Sequence, residues 1–229
     1  MNHIVKYLHQ QNQNNTIIKK AIAILFLLLW WYQSGAQSSH FGAKGGLNLA
    51  ILSGTVNMEP KYKQGLMVGV YLDAAVTEKF HIQPELLYSS QGAKIEYTDS
   101  PAPGSRVVGE TTTNLSYINI PVMAKIYLGK VVNLQLGPQV GILVSATDKG
   151  TIQGDVVDDD LKDIFKGVDF SLATGIGLNF PSGVNVGGRL IFGLSNLNKD
   201  SDQIAPGMTR PALTNGVIQF SFGVPLAKF

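Results

Sequence analysis

From Val131 to Ser145 the chain alternates without a break. Val132, Leu134, Leu136, Pro138, Val140, Ile142 and Val144 occupy one set of positions, and Asn133, Gln135, Gly137, Gln139, Gly141, Leu143 and Ser145 the other. A strand sends successive side chains to opposite faces, so this segment has one apolar face and one that is polar or small. The pattern recurs over almost all of the chain after residue 40. A soluble sandwich would need large apolar side chains on its hidden faces. The minority face here instead offers Gly42, Gly46, Asn48, Gly69, Ser171, Gly175, Gly177, Asn185, Gly187 and Gly193. Such residues cannot fill a dry core to native density, but they suit a narrow lumen. The apolar face is then left for lipid. The expected fold is all-β, an eight-stranded antiparallel up-and-down transmembrane β-barrel.

The N-terminal segment reads differently. Residues 21–32 form an apolar run too short to span a bilayer, which takes about 20 residues. Lys19 and Lys20 precede it and Ser34-Gly35-Ala36 follows. Basic flank, short apolar stretch and small residues make a secretory signal peptide, with cleavage expected after Ala36. The organisation is thus a signal peptide over residues 1–36 and a barrel domain over 37–229. The leader carries Lys6, Lys19 and Lys20 and no acid, so of 18 basic and 16 acidic residues, 15 bases remain beside all the acids. A domain that is close to neutral has no basic face for nucleic acid. The absence of cysteine removes a lipid-anchored N-terminus, disulfides and thiol chemistry.

Eight strands are expected near residues 41–52, 65–76, 80–92, 115–128, 131–146, 168–180, 184–197 and 216–226. Tight turns at 77–79, 129–130 and 181–183 alternate with long polar segments at 53–64, 93–114, 147–167 and 198–215. Short turns on one rim and long loops on the other is the outer-membrane arrangement, with the turns and both termini on the periplasmic side. Phe41, Phe80 and Phe180 fall at periplasmic strand ends, and Tyr88, Phe170, Phe192 and Phe220 farther up, as interfacial girdles require. Pro84, Pro121, Pro138 and Pro225 conflict with this picture, because a closed barrel has no free edge to take a proline. Bulges would absorb them, and one is expected near Pro225, where Phe229 breaks parity with Phe220 and Phe222.

Several segments resemble the PorT family of outer-membrane β-barrel proteins from Bacteroidetes. They are Phe41-Gly42-Ala43-Lys44-Gly45-Gly46-Leu47-Asn48-Leu49, Gln83-Pro84-Glu85-Leu86-Leu87-Tyr88-Ser89, Tyr117-Ile118-Asn119-Ile120-Pro121, Leu136-Gly137-Pro138-Gln139-Val140-Gly141 and the closing Phe229. The resemblance spans most of residues 40–229 and implies an eight-stranded barrel in the outer membrane. The namesake of that family is tied to protein secretion, while most relatives have no assigned activity. A terminal aromatic is also similar to the signal read by the barrel assembly machinery, which makes that machinery an expected partner during biogenesis.

Parity places Lys44, Asp73, Glu85, Lys125, Asp169 and Arg189 on the lumen face. All but Asp169 lie a few residues above the periplasmic strand ends, so they form one layer low in the barrel. Buried charges must be paired. Lys44 is expected to meet Asp73, Glu85 to meet Lys125, and Arg189 to reach across to a carboxylate in bidentate fashion. The layer reads as an ionic plug, with a gated solute path as the rival. Asp169, near the opposite rim, has no obvious partner.

No catalytic, cofactor or metal residues are assigned. An outer-membrane acyl hydrolase needs a nucleophile beside a base. His81 stands by a turn with no serine placed for it, and His40 lies in the terminal segment. Asp155, Asp158, Asp159 and Asp160 lack the glycine-turned spacing of a calcium loop and read as a solvated loop. The expected function is therefore a structural or surface-interaction role in the outer membrane. Lipid, lipopolysaccharide and an envelope protein are the expected contacts, chiefly through residues 93–114 and 147–167. A narrow pore and an accessory component of a secretion system are the alternatives.

Overall fold

The computed structural model describes residues 39–54, 60–97, 109–199 and 212–228. The expected leader, its cleavage point and Phe229 lie outside them. Nine antiparallel strands are present among the described residues: β1 His40–Ser53, β2 Pro60–Ala75, β3 Phe80–Tyr97, β4 Gly109–Tyr127, β5 Val132–Ile152, β6 Asp155–Asp160, β7 Val168–Asn179, β8 Asn185–Gly193 and β9 Thr214–Lys228. Eight of them close a ring. The pairing runs β4-β3-β2-β1-β9-β8-β7-β5, and β4 pairs with β5 to complete it. β6 stands outside the ring and, among the described residues, pairs with the upper part of β5 alone, as a hairpin. It lies where a plain loop was expected.

Alternation sorts the wall as the sequence requires. Leu47, Leu66, Val68, Leu86, Ile126, Leu134, Leu136, Ile176, Leu190, Phe220 and Phe222 are each more than 40% exposed, and exposed large apolar side chains occur on every strand of the ring. A water-soluble monomer rarely shows a continuous apolar surface of this extent; lipid is the solvent that tolerates it. Tyr88, Phe170, Phe180 and Phe192 also face outward.

The register fixes the tilt. Asn48 faces Gly65 of β2 on one side. On the other side the line of partners runs through Gln219, Arg189, Gly175, Gln135, Lys125 and His81 to Ala75, also of β2. The circuit returns ten residues along the same strand, from position 65 to position 75. Such a shear tilts the strands by roughly 35–45° and leaves an interior that side chains just fill. His40 pairs with both Asp73 and Lys228, so the two ends of the ring meet at one rim. The tight turns at 76–79, 128–131 and 180–184 share that rim.

The prolines are accommodated without opening the sheet. β3–β4 pairing skips from Pro84↔Val122 to Leu87↔Asn119, and β4–β5 pairing from Pro121↔Gln139 to Ala124↔Leu136. The ladder lapses beside residues that have no N–H to give, while the strands continue. At Pro225 the register shifts between Phe41↔Ala227 and Gly42↔Pro225, which leaves Leu226 as the extra residue of a bulge. A second shift, between Ser116↔Ser145 and Tyr117↔Leu143, leaves Val144 unpaired. Val144 and Ser145 are therefore both exposed and Ala146 is buried. The expected inward placement of Ser145 is corrected: the bulge moves it to the outer face.

Candidate functional site

The charged side chains on the inner face meet in one network across the lower lumen. Arg189, on β8, donates from Nη1 to Glu85 Oε2 at 2.9 Å and from Nη2 to Glu85 Oε1 at 2.7 Å. β8 and β3 are diametrically opposite in the ring, so this bidentate pair bridges the full lumen. Its third donor, Nε, bonds to Gln135 Oε1 at 2.7 Å. Lys44 Nζ donates to Glu85 Oε1 at 2.7 Å. One step lower, Lys125 Nζ donates to Asp73 Oδ2 at 2.6 Å, to Gln83 Oε1 at 2.9 Å and to Asn179 Oδ1 at 3.3 Å. Asp73 Oδ1 lies 2.7 Å from His81 Nδ1. Gln83 links the two halves through its Nε2, 2.5 Å from Glu85 Oε1. All five charged residues are buried.

The expected partners are exchanged. Lys44 pairs with Glu85 rather than Asp73, and Lys125 with Asp73 rather than Glu85. On the strand next to it, Lys44 faces Gly69, which has no side chain, and Asp73 stands opposite His40, four residues lower. Strand tilt brings groups two strands apart to one height, and both lysines reach over the intervening strand. Asp169 stays apart from this layer, but the expectation that it lacks a partner is corrected. It accepts hydrogen bonds from Ser195 Oγ at 2.5 Å and Ser171 Oγ at 3.4 Å.

Glycines make room for the long side chains. A Cβ on Gly177 would clash with Gln135 Nε2, and one on Gly42 with the Tyr71 ring. The small inner-face residues thus line a lumen occupied by Arg, Lys, Gln and Tyr chains rooted on other strands. Lys44 also stands 5.5 Å from the centre of the Tyr71 ring, a cation–π distance.

The opposite end of the lumen, the outer one in the expected orientation, is closed by a different chemistry. Leu52, Ala93, Leu115, Tyr117, Leu143 and Ala146 from the strands pack with Phe165, Leu197 and Leu213 from the segments beyond β6 and β8, and Leu161 lies against them. Backbone bonds hold these segments over the opening: Lys166 N to Leu197 O at 2.7 Å, Leu197 N to Leu213 O at 2.8 Å, and Lys199 N to Ile164 O at 2.9 Å. This cap was not expected. Its signal was Leu161, Phe165 and Leu213 in the expected loops, with Leu197 at the end of an expected strand.

His40 opens β1 rather than lying in a loose terminus, and His81 is engaged by Asp73 and stacks near Tyr127, with ring centres 4.6 Å apart. Among the described residues neither histidine has a serine hydroxyl bonded to it, and no group of three or more histidines and acids is placed to hold a metal. The four expected loop acids lie on β6, where Asp158 pairs with Lys149 at 3.2 Å.

A closed ring of tilted antiparallel strands, apolar outside and charged within, defines a small outer-membrane β-barrel protein. The chain belongs to the outer membrane protein beta-barrel domain family, whose sequence pattern matches residues 31–199. Three solved structures are similar to it. Neisserial surface protein A is 11% identical, with 82% of this chain and 98% of that one covered and a TM-score of 0.47. Ail, the attachment invasion locus protein of Yersinia pestis, solved in complex with the heparin analogue sucrose octasulfate, is 11% identical over 84% and 99%, at 0.44. OprG from Pseudomonas aeruginosa is 10% identical over 85% and 98%, at 0.39. No curated protein matches the sequence.

Proposed function

We propose that this barrel is a sealed, non-catalytic wall element of the outer membrane that works through its outer surface rather than through its lumen. The observation that carries the reading is the Arg189–Glu85 pair spanning the interior, saturated by Lys44, Gln83 and Gln135. A solute would have to break charge pairs that are costly to separate once desolvated and then pass the apolar cap. The outward face above the apolar band supports contact with lipopolysaccharide or an envelope protein. It presents cross-strand ion pairs, Lys61–Glu96 at 2.5 Å and Lys94–Glu110 at 3.2 Å, and the protruding β5–β6 hairpin. The motifs around Pro84, Pro121 and Pro138 favour the PorT-type branch of the family, and the segment before Ser38 fits an export leader cleaved after Ala36. Planar-bilayer recording of the purified protein tests the sealed lumen. The expected result is no unitary current; stable steps that change size in Glu85→Gln would establish the pore instead.

A further inference from the structure

The periplasmic end is built unlike the outer end. Among the described residues no apolar cap covers it, and a cavity of about 680 Å³ opens there. That volume lies within the ~300–1,000 Å³ span of small-ligand sites. Its rim carries Lys79 from the β2–β3 turn, Lys130 from the β4–β5 turn and Lys228 from the end of β9, and its floor includes His81, Tyr127 and Asn179. Among the described residues none of the three rim lysines forms an ion pair, and the lining holds one acid without an ion pair, Glu78. The other acid in the lining, Asp73, is already matched by Lys125. The Tyr127 hydroxyl and the Asn179 amide nitrogen have no hydrogen-bond partner among the described residues, whereas Asn179 Oδ1 accepts from Lys125 and Asn133.

A pocket with surplus positive charge at its mouth and unused donors at its base selects for negative charge. Field lines focus in such a recess, and the ligand concentrates there. The lysines line an inward-facing cavity shared with the floor groups, which sets them apart from headgroup contacts on the outer wall. We propose that the periplasmic mouth binds an anionic ligand presented from the periplasm, a molecule bearing a carboxylate or phosphate that passes the three lysines and is held by Tyr127 and Asn179. The ionic layer above forms the closed end of the cup. A conducting lumen would leave the cup as a vestibule, so bilayer currents and ligand binding test separate claims.

Calorimetric titration of the protein extracted from membranes into a neutral maltoside detergent, with inorganic pyrophosphate and with the peptide acetyl-Glu-Glu-Glu, separates the phosphate and carboxylate sources. At least one probe is expected to bind saturably at one site. The double variant Lys79→Gln/Lys130→Gln should weaken it by about tenfold or more, and Tyr127→Phe by about fivefold. Lys149→Gln, on the outer hairpin, should leave it unchanged. Lys228→Gln serves as the second rim variant, and heat-modifiable gel migration verifies that each variant is folded. The proposal is overturned if neither probe binds, or if binding ignores the rim substitutions. It is also overturned if only phosphatidylglycerol vesicles bind and Tyr127→Phe has no effect, which would assign the lysines to lipid headgroups.

Discussion

Glu85 accepts four hydrogen bonds, from Lys44, Gln83 and both terminal nitrogens of Arg189. Removing its charge leaves two buried cations facing each other. Glu85→Gln should therefore lower stability by about 3–5 kcal/mol, read as an earlier midpoint in urea unfolding followed by gel migration. Lys61→Gln removes a pair of similar length whose side chains are 56% and 36% exposed. Water and salt screen that pair, so the expected change is under about 1 kcal/mol. Gly177→Val tests the spatial argument. Its side chain would displace the Gln135 amide, disturbing the group that holds Arg189 Nε, at a cost of about 1–3 kcal/mol. The identity of the inward charges was legible from parity alone, but their pairing was not. Pairing depends on which strands the tilt brings level, and on Gly69 offering Lys44 no neighbour.

At the scale of the element, the outer cap should behave as a separable lid. It consists of loop side chains seated on strand side chains, and the chain has no cysteine, so a single introduced thiol reports on access. Leu52→Cys should resist a membrane-impermeant maleimide in intact cells and become labelled when Phe165→Ser is added. Labelling without Phe165→Ser would mean that the cap is open. The cap and the β5–β6 hairpin escaped the sequence because both lie in segments of polar composition. Four apolar residues carry the cap, and β6 has no alternation to mark it: Asp155-Val156-Val157-Asp158-Asp159-Asp160. The bulge at Val144 was hidden for a related reason. Val144 and Ser145 satisfy alternation on paper, and only the partner register on β4 shows that one residue is extra.

Across the whole molecule, the ring was readable because lipid and lumen impose opposite demands on alternate residues over the length of each strand. That repetition outweighs local exceptions such as Pro84, Pro121 and Pro138. The two ends of the ring are the part that repetition does not specify. One is shut by apolar side chains, the other is an open recess edged with lysines, and each depends on turns and loops with no period of their own. In an outer-membrane barrel, lipid contacts the exposed face formed by Leu66, Leu134, Ile176, Phe220 and their neighbours. Fractionation of the expressed protein, with heat-modifiable migration as the readout, checks that contact. The expected result is recovery in the outer-membrane fraction, resistance to carbonate extraction, and a faster-running compact band that is lost on boiling. A folded monomer recovered from the periplasm without detergent would contradict it.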